Sequence, residues 1–274
     1  MAVKLLSLCE QGRTKHSFVT VGSIPTDHKL NIDMKYTEFN WAELNRDFLF
    51  GIFYDLETNL VGVDLTGRRM FAIISKQIHR YLPLRTRKIV NKSLGKNHLA
   101  IGGHYCFDRD EHREKSITID FYFRSFDQPI KLKRSSFLEC GIIFADTVLH
   151  EIIHMRQHRR RNFNSRPYYK SRENTIDKKR QQGYLGCLDE IDAYAFNISC
   201  ELMDYFNLDE DKSIRYLNKP KKTISKENSY QMYLKAFDYD HDHAIIKKLK
   251  KKIVAYFPKA KQGRPFTNSD WIYY

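Results

Sequence analysis

Two histidines and a glutamate stand close together in the stretch VLHEIIHMRQH, where His150, Glu151 and His154 form an H-E-x-x-H pattern. On an α-helix, positions four residues apart lie on the same face, about 6 Å apart along the axis. Both imidazoles can therefore reach one Zn²⁺ ion at Zn–N distances of about 2.0–2.1 Å. Glu151 would lie beside that ion, where it could take a proton from an attacking water and pass it to a leaving amine. The competing interpretation is a buried helix whose histidines are hydrogen-bonded core groups.

A hydrolytic zinc site needs a third protein ligand, and the segment GYLGCLDEIDAYAFNISCELMDYF offers Glu190. Apolar residues recur in this segment at helical spacing, and Glu190 shares the opposite face with the small side chain of Ala193. A lone carboxylate among packed apolar residues is costly unless it is paired or bound to a metal. The sequence therefore predicts one Zn²⁺ per chain, held by His150, His154 and Glu190.

His158 continues the four-residue series of histidines on the same segment. On a continuous helix it would lie about 12 Å from His150, which is too far for the two side chains to share an ion. We therefore predict that His158 is exposed or contacts a partner.

The segment that carries these histidines has the pattern of a buried helix. Ser136 and Glu139 fit the S-x-x-E capping box, so a helix is expected to begin near Phe137. It continues without proline to the basic run at Arg161, and its first two-thirds are apolar nearly all the way round. Such a helix lies in a core and not on a surface.

The chain before this helix predicts a small sheet and one further helix. FLFGIFYD and LVGVDLT are expected to form a β-hairpin, and RRMFAIISKQIHRYLP a helix that ends at Pro83. Residues 85–96 are read as a basic loop. HLAIGGHYCFDRD and KSITIDFYFRS then predict two strands joined by RDEHREK, the second with one buried face because apolar residues alternate from Ile117 to Phe123.

His150-Glu151-x-x-His154, followed 36 residues later by Glu190, resembles the gluzincin zinc metallopeptidases over roughly residues 68–206. The resemblance implies an α+β, zincin-like fold, in which a small, mostly antiparallel sheet packs on a buried active-site helix and a helical C-terminal part follows. It also implies zinc-dependent hydrolysis of a protein or peptide substrate. The residues in HEIIHMRQH and YLGCLDEIDAYAFNI look most similar to those of small metallopeptidase-like proteins of bacteria and phages.

The chain departs from that family at supporting positions. Thermolysin-like enzymes carry an aspartate four residues after the glutamate ligand, where this chain has Tyr194. Asp146 or Asp192 must then support the ligands, if any aspartate does. Three tyrosines are candidates to donate a hydrogen bond to a developing oxyanion, although ordinary packing is the competing interpretation for each: Tyr168, Tyr169 and Tyr184.

Positive charge dominates the 274 residues, with 47 Lys and Arg against 33 Asp and Glu and a net charge of +14. Such an excess favours nucleic acid or an acidic protein as a partner, or marks a basic protein with no specific partner. The candidate anion contacts flank the basic segment between the two site helices: Arg159, Arg160, Arg161, Lys178, Lys179 and Arg180. Further on, DHDHAIIKKLKKKIVAYFPK predicts an amphipathic helix capped by Asp240 or Asp242, with Val254 among its inward residues.

Three parts are expected along the chain: an N-terminal extension over residues 1–60, a zincin-like domain over 61–206 and a basic helical region with a tail over 207–274. The five cysteines are odd in number and include no C-x-x-C pair, which argues against disulfides and against a thiolate zinc site. No membrane span and no signal peptide are recognised, so we predict a cytoplasmic or virion-associated protein. The alternative function is a basic assembly protein that binds nucleic acid or another partner on a catalytically weak or inactive zincin scaffold.

Overall fold

The computed structural model describes residues 36–164, 177–219 and 229–265. The chain divides into two compact units; the first ends at Leu149 and the second begins at His150, inside one long helix. Helices predominate and the strands form two small sheets, so the predicted α+β class is confirmed. The zincin-like arrangement and the boundaries at residues 60 and 206 stay predictions.

The first unit alternates short helices and strands after two 3-10 turns at residues 36–38 and 41–43. Its elements in chain order are α1 (Arg46–Tyr54), α2 (Glu57–Leu60), β1 (Leu65–Thr66), α3 (Gly67–Tyr81), β2 (Arg85–Val90), β3 (Leu99–Tyr105), α4 (Phe107–Glu111), β4 (Ile117–Phe123), β5 (Pro129–Ile130) and the first part of α5 (Arg134–Arg160).

The hairpin predicted from FLFGIFYD and LVGVDLT is wrong, because the first of these segments forms α1. The side chain of Asn45 caps this helix by accepting a hydrogen bond from the Phe48 amide. Leu49, Ile52 and Phe53 are fully buried, at the three- and four-residue spacing of one helical face. Phe48, Phe50 and Tyr54 are half-buried or exposed, and these further aromatic residues hid the helical spacing in the sequence.

The three-stranded sheet has the order β2-β4-β3. β3 and β4 pair antiparallel as predicted, with the short helix α4 in the connection between them. β2 pairs with β4 in parallel, so this sheet is mixed. β1 and β5 form a separate antiparallel pair.

β2 corrects the basic loop expected at residues 85–96. Its residues are exposed or half-buried, since β2 is an edge strand, and only the adjacent Ile89 and Val90 are apolar, so the alternating pattern of a strand is missing. β4 is the central strand, and all seven of its residues are buried on both faces, instead of the single buried face that was predicted.

α3 confirms the helix predicted before Pro83 and packs beside this sheet. Thr66 caps it by accepting from the Arg69 amide, and its apolar stripe is buried. The rings of Phe71 and Phe121 meet edge to face at 6.1 Å. α5 begins at Arg134, three residues before the predicted start at Phe137.

The second unit is helical throughout the described residues. After the last part of α5 it contains α6 (Lys178–Leu185), α7 (Leu188–Tyr205), α8 (Glu210–Leu217), α9 (Ser229–Ala236) and α10 (Ala244–Ala260). α7 and α10 pack side by side, with the rings of Phe196 and Tyr256 5.6 Å apart. The predicted helices α7 and α10 are both present.

α10 is amphipathic as predicted, with two corrections. His243 caps it by accepting from the Ile245 amide, instead of Asp240 or Asp242. Val254 is 40% exposed and not inward. None of the described helices is long and apolar enough to cross a membrane.

Candidate metal centre

Three donor side chains meet inside the second unit, two from α5 and one from α7. The Nε2 atoms of His150 and His154 lie 3.1 Å apart. Glu190 places Oε2 3.5 Å from Nε2 of His150, and Oε1 3.3 Å from Nε2 of His154. At most 10% of any of these side chains is exposed. The three residues predicted as ligands are therefore brought together in a buried cluster.

Local structure explains why these side chains converge. His150 and His154 occupy one face of α5 a turn apart, and their rings lie edge to face at 4.8 Å. Glu190 lies in the first turn of α7, where the helix dipole favours a negative charge. Ala193, one turn further along α7, is fully buried and has only a methyl group, which leaves room for close packing.

The charges of the cluster compensate one another. Burial alone would lower the pKa of His154, but the Glu190 carboxylate outweighs it and raises that pKa to about 9. Burial alone would raise the pKa of Glu190, but His154 and His150 outweigh it and hold that pKa well below its usual range. Glu190 is therefore ionised, as a metal ligand must be.

The distances between the three donor atoms fit tetrahedral coordination of one metal ion. Ligands at 2.0–2.1 Å from a tetrahedral centre are separated from one another by about 3.3–3.4 Å. The three donor separations here are 3.1, 3.3 and 3.5 Å. A simple ion pair needs one histidine beside Glu190, whereas here two imidazoles turn the same ring nitrogen toward one point. Two imidazoles and a carboxylate form a donor set that suits zinc.

Glu151 is buried beside this cluster, with 7% of the residue exposed. Its negative charge contributes to the raised pKa values of His154, Tyr184 and Tyr194, because its carboxylate lies close enough to act on all three. Glu151 follows His150 directly and so points about 100° around the helix from it. It is therefore next to the donor cluster without being part of it.

Gln157 is a site residue that the sequence analysis missed. Its Oε1 atom lies 2.9 Å from Nδ1 of His154, on the far side of the ring from the cluster. Its Nε2 atom donates to the backbone carbonyl of Asp189 at 3.1 Å and to Oδ2 of Asp192 at 3.3 Å. The signal available in the sequence was its position three residues after His154, which places it on a neighbouring part of the same helix face.

Tyrosines form another side of the cluster. Tyr184 hydrogen-bonds with the Glu190 carboxylate, and burial, followed by that negative charge, raises its pKa well above the usual value. Tyr194, the departure from the family pattern, packs its ring edge to face on His150 at 4.7 Å. The role of Tyr184 as an oxyanion donor stays a prediction. Tyr168 and Tyr169 lie outside the described residues.

The two aspartates proposed as supports have different surroundings. Asp192 contacts the site indirectly, because it accepts a hydrogen bond from Gln157, which in turn contacts His154. Asp192 also accepts a hydrogen bond from Nζ of Lys252 at 2.7 Å. Asp146 lies in the first unit, where Arg46 donates to both of its oxygens at 2.7 and 3.2 Å. Asp192 is therefore connected with the site through Gln157, whereas Asp146 forms an ion pair with Arg46.

Some of the basic residues predicted to contact anions form ion pairs with acidic residues of the chain. Arg161 holds Asp189 through two hydrogen bonds of 2.8 and 2.6 Å, and Lys178 pairs with Asp238. Arg180 lies 3.7 Å from Asp177, while Arg160 and Lys179 are exposed and Arg159 is half-buried. His158 is only 3% exposed, so the prediction that it is exposed is wrong. Its position on α5 turns it inward together with the rest of this buried helix.

Comparisons with protein-family models, with curated proteins and with solved structures found no match to this chain. The resemblance to gluzincins therefore rests on the residues of the site.

Proposed function

We propose that this chain is a zinc-dependent peptide-bond hydrolase of the gluzincin type. The observation that carries the proposal is the buried convergence of His150, His154 and Glu190, with donor separations of 3.1–3.5 Å. Glu151 lies beside this group and supplies the general base that hydrolysis requires. The same three residues would hold one Zn²⁺ per chain.

The reaction assigned to the site needs no covalent enzyme intermediate. Bound zinc would act as a Lewis acid and polarise the carbonyl of the scissile bond. The Glu151 carboxylate takes a proton from the attacking water and then gives it to the departing amine nitrogen. Tyr184 and the helix dipole at the start of α7 keep Glu190 in place, and burial of the cluster keeps bulk water away from the reacting groups.

Metal content tests the proposal directly. Wild-type protein, purified without chelator, is expected to contain about one zinc per chain by mass spectrometry. Glu190→Ala and His154→Ala should each lose most of that zinc, because two remaining ligands bind it weakly. His112→Ala is the matched control, since His112 is an exposed histidine on the first unit. A wild type that stays free of metal after incubation with zinc would overturn the proposal.

The second candidate is a basic protein that binds an anionic partner and retains the cluster only as a scaffold. It is favoured by α10, whose 17 residues include six lysines and no acidic residue. Lys247 and Lys252 pair with acids, whereas Lys248 and Lys251 are exposed one turn apart. Nucleic acid is the polyanion that such a face would bind through its phosphates. We also keep three further points as proposals: that the substrate is a protein or peptide, that the protein is cytoplasmic or virion-associated, and that it comes from a phage.

A further inference from the structure

We infer that Gln157 is a positioning residue that fixes the ring of His154 for metal binding. The inference deepens the proposed function and rests on it, since it concerns how one ligand of the proposed zinc site is oriented. It begins with the amide of Gln157, whose two ends differ in their neighbours.

Hydrogen-bond partners decide which way the Gln157 amide faces. The two groups near its Nε2 atom, the Asp189 carbonyl and the Asp192 carboxylate, can only accept hydrogen bonds. The NH₂ end must therefore face them, and the oxygen end must face His154. This oxygen lies 2.9 Å from Nδ1 of His154 and can only accept.

The protonation of the His154 ring follows from that orientation. Nδ1 must carry a hydrogen in order to donate to Gln157, so a neutral His154 keeps its lone pair on Nε2. Nε2 is the nitrogen that lies 3.1 Å from His150 and 3.3 Å from Glu190. Gln157 therefore selects the tautomer that can bind a cation at the cluster, and it also limits rotation of the ring.

Two ion pairs hold the groups that orient Gln157. Lys252 on α10 donates to Oδ1 of Asp192 at 2.7 Å, which leaves Oδ2 for Gln157. Arg161 donates two hydrogen bonds to the side chain of Asp189. The backbone carbonyl of Asp189 is the second acceptor of the Gln157 amide. The support of His154 thus extends from α5 through α7 to α10. In the described part of the second unit, a glutamine takes over the orienting task that a carboxylate performs in many zinc sites.

The test compares Gln157→Met with wild type by zinc titration in a competing chelator. Methionine nearly matches glutamine in length and volume but cannot accept from Nδ1 as an amide oxygen does. We expect the zinc Kd to rise 10- to 100-fold, the usual effect of losing a group that orients a metal ligand. The melting temperature of the metal-free protein should change little, while its increase on adding zinc should shrink.

Two further variants separate positioning from general packing. Gln157→Glu keeps an acceptor beside Nδ1 but turns its second oxygen toward the Asp189 carbonyl and the Asp192 carboxylate, so it should recover only part of the lost affinity. Gln182→Met removes a comparable amide, which donates to the Ala236 carbonyl at 2.7 Å and does not contact a ligand, so it should leave the zinc Kd unchanged.

The outcomes are distinguishable. Equal zinc affinity in wild type and Gln157→Met would overturn the positioning role and leave the zinc site standing. A loss of affinity as large in Gln182→Met would also overturn it, because the effect would then be one of stability. No zinc binding by the wild type would overturn the proposed function and this inference together.

Discussion

Glu151 is the residue on which the proposed chemistry depends most. Its carboxylate acts on His154 and on both tyrosines of the site, yet it is not one of the three converging donors. A side chain in that place can move protons without holding the ion. Replacing it should therefore separate the two properties of the site, turnover and metal binding.

We predict that Glu151→Gln retains about one zinc per chain and lowers turnover of a peptide-library substrate by a factor of about 10²–10⁴, as expected when a general base is lost. Cleavage is followed by the release of fluorescence from quenched peptides, and zinc by mass spectrometry. Glu210→Gln, which breaks a surface pair with Lys261, is the control and should leave both properties unchanged. Undiminished turnover in Glu151→Gln would rule out this mechanism.

Residue types and spacing were enough to predict the three side chains that cluster, but not the residues that support them. Helix periodicity alone places His150 above His154, and the cost of burying a lone carboxylate singled out Glu190. Gln157 is an ordinary helix residue by type, so only the placement of Asp189 and Asp192 on another helix reveals its role. Its contacts join residues 32 and 35 positions apart, a pairing that local periodicity does not encode.

The three-stranded sheet depends on one buried charge on its central strand. Asp120 of β4 is fully buried and accepts from Nε and Nη2 of Arg87 at 2.8 Å each. Burial alone would raise the pKa of Asp120, but the nearby His104, whose Nδ1 lies 3.7 Å from the carboxylate, and the hydrogen bonds from Arg87 outweigh burial and lower that pKa. The ionised carboxylate therefore joins β2 to β4 by a side-chain contact in addition to the backbone ladder.

We predict that Asp120→Asn destabilises the folded chain by about 2 kcal/mol at pH 7, the scale of a hydrogen bond to a charged group. The folded pKa lies below the ordinary value of 3.8, so this stabilisation is fully present above about pH 4 and is lost as the pH falls through the folded pKa. The difference between wild type and variant should thus stay constant from pH 7 to about pH 4 and shrink at lower pH in urea titrations.

Asp127→Asn is the matched control for this pH dependence, because Asp127 also pairs with an arginine but is exposed. Exposed pairs contribute little, so its stability should stay close to that of wild type at neutral pH. A difference between Asp120→Asn and wild type that is the same at both ends of the pH range would contradict the assigned role of the charge.

At the level of elements, long periodic segments were predicted well and edge elements were not. α3, α5, α7 and α10 each carry enough turns for their apolar spacing to stand out. α1 has nine residues, five of them aromatic or leucine, and only the capping Asn45 distinguished it from a strand. β2 owes its strand conformation to backbone pairing with β4, which is a non-local partner 33 residues away in the register.

For the whole molecule, the net charge of +14 is the property that composition predicts most directly. The structure adds that several of the basic residues are matched by acids, among them Arg161 and Lys252. The formal excess therefore overstates the charge available to a partner near those pairs. Lys248 and Lys251 on α10 are exposed and form the best-defined candidate contact for phosphate.

We predict that wild-type protein binds a 20-bp DNA duplex about tenfold more weakly at 200 mM than at 50 mM salt, the loss expected for about two phosphate contacts. The Lys248→Glu/Lys251→Glu variant should lose most of this salt dependence in fluorescence polarisation. Lys92→Glu/Lys96→Glu makes the same charge change at exposed positions of the first unit and serves as control. An equal loss in both variants would mean that net charge, and not α10, governs binding.

The long helix α5 limits how this protein can be dissected. A fragment that began at the boundary between the units would start at His150, a proposed zinc ligand. Its first amides would have no preceding carbonyls to bond, and helix ends without such bonds fray. The ligand turn would then become the least ordered part of the fragment. A fragment intended to preserve the site must begin no later than Arg134, where the helix itself begins.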